Sequence, residues 1–155
     1  MVELDVTAGR DELEDGPDMN EPRRRFYLWY SNTTDSEGRE IEAGRLTLAK
    51  SIAETLMHPE GPFYELQIDI NEPSEATTVT EKGGTSLNGV LYDVRRKPYD
   101  HTEDGEEYTF VVTSEDATVE VGTLALNGQN FRDSLDRAEL PNVGDACEVR
   151  ISLQD

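Results

Sequence analysis

The chain has 155 residues, 34 of them acidic and 14 basic, for a formal net charge of −20. At this length one core can bury roughly 70% of the unfolded surface, and a lone cysteine, Cys147, excludes an intrachain disulfide or a multi-cysteine metal site. No stretch approaches the ~20 apolar residues of a membrane-spanning helix. The opening Met-Val-Glu-Leu-Asp-Val-Thr lacks the basic and apolar blocks of a secretory leader.

Residues 1–22 carry Asp11, Glu12, Glu14, Asp15, Asp18 and Glu21 among Gly9, Gly16, Pro17 and Pro22, the composition of a flexible acidic N-terminal arm. Residues 23–155 then read as one α+β domain. Phe26 to Tyr30 has strand composition and ends in the turn-forming run Ser31 to Ser36. From Ile41 to Met57 the apolar residues Ile41, Leu48, Ala49, Ile52, Ala53 and Leu56 fall at helical spacing, and His58-Pro59 stops them. This segment is the expected longer helix, although Gly44 costs its first turn about 1 kcal/mol relative to Ala. Tyr64, Leu66, Ile68 and Ile70 alternate with Glu65, Gln67 and Asp69, the signature of a strand with one wet face. Asn71 to Ser86 reads as a loop or irregular edge.

Two strands follow around Val90 to Arg95 and Tyr108 to Val112, with Asp104-Gly105 favouring a hairpin turn between them. A further strand runs to Leu126, where Asn127-Gly128 breaks it. Asn130 can cap a short helix that Leu140-Pro141 ends. Gly144-Asp145 turns into a last strand with Cys147, Val149, Ile151 and Leu153 facing inward. No internal repeat is evident. The expected fold is a mainly antiparallel sheet or partly closed barrel of about six strands, with one longer and one short helix.

The charge is far beyond the magnitude of about 2 to 8 that keeps a small domain soluble. Eleven of the basic residues are Arg and three are Lys. In this abundance of carboxylates and scarcity of lysine the chain resembles proteins of salt-in haloarchaea and their viruses. At 1 M salt the Debye length falls to about 3 Å and carboxylate repulsion is largely silenced. The resemblance implies the cytoplasm of a salt-in halophile, or a virion, as the setting.

Gly89-Val90-Leu91-Tyr92-Asp93-Val94 and Val143-Gly144-Asp145-Ala146-Cys147-Glu148-Val149 resemble the opening and late strands of an OB-fold, over residues 89–153. That likeness implies a small OB-like barrel used for oligonucleotide binding or assembly, closed by the Tyr64 to Ile70 strand.

Two islands hold six of the scarce cations: Arg23, Arg24 and Arg25 beside Trp29, and Arg95, Arg96 and Lys97 beside Tyr99. Cations that track phosphates and rings that stack on bases are what single-strand binding requires. The other reading is that these residues pair with carboxylates, on this chain or a neighbour. Asp100 to Gly105 partly echoes a calcium loop, yet Thr102 and Val111 stand where such a loop needs acidic ligands. A solvated hairpin tip around His101 is therefore expected. His58 marks a helix end, Cys147 reads as a small buried hydrophobe, and Asn32-Thr33-Thr34 as a chance glycosylation match. No phosphate-binding Gly loop, nucleophile elbow or His-Glu metal helix occurs.

These features point away from an enzyme and from a bound cofactor or metal. They suggest an oligomeric structural or assembly subunit of a larger particle, such as a capsid, neck or tail component of a haloarchaeal virus, with protein subunits as partners and no membrane. The alternatives are an OB-like single-stranded nucleic-acid-binding protein and an acidic DNA-mimic inhibitor.

Overall fold

Apolar residues at every second position organise most of the chain. The computed structural model describes residues 2–14, 23–34, 37–56, 63–72, 84–98, 104–113, 120–127 and 141–153. These form β1 (Val2–Glu14), β2 (Arg23–Thr34), β3 (Glu40–Ala49), α1 (Lys50–Leu56), β4 (Phe63–Asn71), β5 (Gly84–Pro98), β6 (Asp104–Thr113), β7 (Glu120–Asn127) and β8 (Ala146–Leu153). All neighbouring strands pair antiparallel, and the ring closes in the order β1-β2-β3-β7-β6-β5-β8-β4.

Inward positions supply the core: Leu4, Val6 and Ala8 from β1, Phe26 and Leu28 from β2, Leu66, Ile68 and Ile70 from β4. Leu46 and Leu48 from β3, Leu87 and Leu91 from β5, Phe110 and Val112 from β6, Leu124 and Leu126 from β7, and Cys147, Val149 and Ile151 from β8 join them. The Phe26 and Tyr64 rings meet edge to face at 6.2 Å, a geometry that suits the aromatic quadrupole. Helix α1 lies at one rim, where Ala53 is buried and Ile52 packs on the core. Among the described residues no helix is long and apolar enough to cross a membrane.

The expectation of an α+β fold with a long helix over residues 41–57 is overturned, because Glu40–Ala49 is a strand and α1 spans seven residues. The reason is a β-bulge. Leu28 pairs with Gly44 while Trp29 pairs with Glu42, so Ala43 is an extra residue on β3. Inward positions therefore run Ile41, Ala43, then Leu46, Leu48, a period of two with one slip that imitates helical spacing. The second, short helix expected from Asn130 lies outside the described residues. The partly closed OB-like barrel is corrected too: an OB-fold has five strands, whereas this ring has eight and is closed. Val2–Glu14, read as part of an acidic arm, is a barrel strand between β2 and β4.

The ring divides into two arcs that repeat one topology. β4-β1-β2-β3 and β8-β5-β6-β7 are each a four-stranded Greek key, three hairpin-linked strands with the fourth returned beside the first. They join at two seams, β3–β7 and β4–β8. The β3–β7 seam is symmetric about Leu46 and Leu124, with Gly44 opposite Leu126 and Leu48 opposite Gly122. Both strands read Gly-x-Leu-x-Leu there. Phe26 opposite Leu46 matches Phe110 opposite Leu124, and Ile68 pairs with Ile151 across the other seam. The bulges coincide as well, after Arg10 in β1 and after Leu91 in β5.

Antiparallel pairing all round fixes which strand ends share a rim. The upper rim gathers the ends of β1, β3, β6 and β8 and the starts of β2, β4, β5 and β7; the lower rim gathers the rest.

Candidate functional site

Arg23, Arg24 and Arg25 open β2 at the upper rim. Arg24 follows the inward register of Phe26 and Leu28, so its guanidinium sits at the barrel mouth, where its Nη2 lies 3.5 Å from Glu54 Oε1 on α1. Lys50 Nζ approaches the same carboxylate oxygen at 3.8 Å. Arg24 Nε is buried without a hydrogen-bond partner among the described residues. Arg23 points outward and its Nη1 reaches Glu120 Oε1 of β7 at 3.4 Å, crossing β3.

Outward residues of β2 form a stripe. The Arg25 guanidinium lies 5.9 Å from the Tyr27 ring centroid and that of Arg45, on β3, 5.3 Å from it. Tyr27 and Trp29 follow with centroids 6.4 Å apart. Beyond them, Glu65 accepts hydrogen bonds from the Thr7 hydroxyl at 2.9 Å and the Ser31 hydroxyl at 2.8 Å. Tyr30 faces the core, and burial raises its phenol above the ordinary value.

Arg95, Arg96 and Lys97 lie at the lower rim, at the end of β5. Cross-strand register sets Arg95 opposite Glu107, Arg96 opposite Glu106 and Pro98 opposite Asp104. At the upper rim the pattern is reversed, with Glu14 of β1 opposite Arg23. Opposite charges facing one another across a hairpin are mutually stabilising. Arg95 also bonds through Nε to Asp93 Oδ2, two residues earlier on the same face, and that contact raises its already high pKa. Tyr92 is the bulged residue of β5 and is 64% exposed; Val143, beside it through the Gly144 to Leu91 backbone bond, is 57% exposed.

The two basic islands thus do not meet. β2 and β5 stand four strands apart in a ring of eight, on opposite sides, and their islands occupy opposite rims. Arg24, Trp29, Arg95 and Arg96 do not form one continuous track, and Tyr99 lies outside the described residues, as do His58 and His101. Cys147 is buried on β8, where desolvation pushes its thiol up to about 11. Among the described residues no three His, Cys, Asp or Glu side chains gather to hold a metal ion. Sequence reasoning missed Glu54, Glu120, Tyr27 and Arg45. The i, i+2 spacing of Arg25, Tyr27 and Trp29 marked one face of β2, but Arg45 lay in the segment read as helix.

Charge on the outer wall is unevenly distributed. Outward positions of β1 and β4 are Glu3, Asp5, Thr7, Glu65, Gln67 and Asp69, four of six acidic. Those of β5, β6 and β7 around their shared centre are Val90, Asp93, Thr109, Val111, Thr113, Thr123 and Ala125, with Asp93, bonded to Arg95, the one charged residue. No protein-family model matches the chain, no curated protein matches its sequence, and no solved structure matches its fold.

Proposed function

We propose that the chain is a non-enzymatic assembly subunit of a larger particle, of the kind a haloarchaeal virus builds into its capsid, neck or tail. The observation that carries this reading is the divided outer wall. In a chain of net charge −20, a wall mostly of Val, Thr and Ala, whose one carboxylate, Asp93, is paired with Arg95, is where a neighbouring acidic subunit can approach with little carboxylate set against carboxylate. The acidic wall on the opposite side keeps the particle's outer surface hydrated in concentrated salt. Cations that pair with carboxylates, as Arg23, Arg24 and Arg95 do, serve the barrel itself. That use favours assembly over the single-strand binding alternative, for which cations must remain available to phosphates.

Two measurements test the reading. Mass spectrometry of purified particles and of cell lysate should find the chain in the particles. Val111→Glu on the β5–β7 wall should lower its incorporation at least tenfold, while Gln67→Glu on the acidic wall should leave it unchanged. Recovery of the chain from lysate alone would refute the proposal.

A further inference from the structure

The two Greek keys serve as internal controls for each other's surfaces, because one fold is built twice around the same inward residues. Phe26 matches Phe110 and Leu46 matches Leu124, all buried. The pairing shifts that follow Leu28 and Val112 coincide too, with Ala43 and Val121 as the extra residues. From these fixed points, Arg25 corresponds to Thr109, Tyr27 to Val111, Trp29 to Thr113 and Arg45 to Thr123. The twin strands thus keep the same register and core with small, uncharged outward residues. Neither pairing nor packing calls for two arginines, a tyrosine and a tryptophan at the matching places. Arg, Tyr and Trp are the residues enriched where one protein grips another.

The chemistry of the stripe defines what it takes. The guanidinium groups of Arg25 and Arg45 both lie over the Tyr27 ring, which presents their planar forks to carboxylates. Arg45 is exposed and has no carboxylate partner among the described residues. At the other end, exposed Glu42 stands opposite Trp29. It repels a further carboxylate there and leaves the Trp29 ring to an apolar side chain. The matching ligand is therefore acidic at one end and apolar at the other. A nucleic-acid strand matches less well, because a phosphate accompanies every base and one would meet Glu42. The Tyr27 ring is also engaged by the two guanidinium groups, so Trp29 is the ring left for stacking.

We infer that this stripe grips an acidic segment of a neighbouring protein subunit, with carboxylates on Arg25 and Arg45 and an apolar side chain on Trp29. Hydrogen-bonded guanidinium and carboxylate groups touch, so they still attract when the Debye length falls to about 3 Å at 1 M salt. Burial of the two rings adds an apolar contribution that does not depend on charge. The inference rests on the assembly reading and names the chemistry of one of its contacts.

Trp29 is the single tryptophan of the chain, so its emission reports the stripe directly. Titration of the full chain in about 3 M KCl with the peptide Glu-Gly-Glu-Leu-Leu should shift that emission to saturation. Arg45→Gln should weaken binding at least tenfold, and so should replacing both acids of the peptide by Gln. Thr123→Gln, at the matching place on the twin face, should leave it unchanged; circular dichroism confirms that both variants fold. Equal affinity for the two peptides overturns the inference, as does a Trp29 emission that the acidic peptide leaves unmoved. A shift caused by oligothymidine and not by the peptide overturns it in favour of nucleic acid. If the acidic peptide binds as expected yet the chain is absent from purified particles, the stripe stands and the assembly reading falls. If the chain is found in particles and the peptide does not bind, the assembly reading stands and the inference falls.

Discussion

Gly44 in β3 lies so close to Ala125 in β7 that a methyl group on its Cα would sit 2.0 Å from the Ala125 carbonyl oxygen. The seam repeats this in reverse, since a methyl on Gly122 would sit 2.0 Å from the Thr47 carbonyl oxygen. Gly44 also has φ +152, where a side chain is strained. Neither backbone can move without parting the two Greek keys. Gly44→Ala and Gly122→Ala should each cost more than about 3 kcal/mol, measured by denaturant unfolding followed through Trp29 fluorescence. Gly38→Ala, at φ +78 with open space around it, should cost about 1 kcal/mol.

Arg24 and Glu54 should respond unequally to substitution. Removing Glu54 leaves a cation whose side chain is 16% exposed without its carboxylate, whereas removing Arg24 leaves a carboxylate that is half exposed and still near Lys50. Glu54→Ala should therefore destabilise the barrel by about 1–2 kcal/mol, and Arg24→Met by less than about 0.5 kcal/mol. Thermal melts of the two variants and of the double variant check this. Equal losses would mean that the guanidinium is solvated.

Alkaline pH should weaken the fold. The folded Cys147 thiol titrates at about 11, above the ordinary value near 8.5, so between these values the unfolded chain has lost a proton that the folded one keeps. Stability is fully present below pH 8 and falls as pH rises toward 11, by about 2–3 kcal/mol in all. Tyr30, raised by burial as well, adds to the loss above pH 10. In Cys147→Ala the decline should be confined to the range of Tyr30, as unfolding at pH 8, 9.5 and 11 would reveal. Native Cys147 should also resist thiol reagents at pH 8, since both burial and protonation protect it.

Dialysis from about 3 M to 0.1 M KCl should loosen or unfold the barrel, because the carboxylates of the β1–β4 wall then repel over a longer Debye length. Glu3→Gln with Asp5→Asn should lower the salt needed at the midpoint. Circular dichroism across a KCl titration reads both. A wild-type chain indifferent to salt would remove the halophilic setting.

Part of the core was legible in the residues because unbroken alternation has one meaning. Tyr64 to Ile70, Tyr108 to Val112 and Cys147 to Ile151 all face inward as their period of two requires. Where a bulge shifts the phase, the pattern misleads: Ala43 made β3 look helical. Composition misled at β1, whose acids and glycines suggested an arm although Leu4, Val6 and Ala8 alternate cleanly. The Gly-x-Leu-x-Leu repeat is five residues long and stands out once Gly44 and Gly122 are seen to face one seam. Of the basic residues, grouping along the chain was visible. Their division between opposite rims was not, because it depends on strand order, which depends on pairings between residues as distant as Gly44 and Leu126.

The duplicated arcs also govern how the chain can mature during its synthesis. Once Asn71 has emerged from a ribosome, the first Greek key is complete in sequence but both its outer strands, β3 and β4, lack partners. The 82 residues from Glu72 to Leu153 take roughly 4 to 16 s to follow at ordinary elongation rates. Throughout that interval a nascent chain offers two sticky flanks to any other nascent chain nearby. Polysomes, where many such chains wait side by side, are therefore where exchanged halves would first arise.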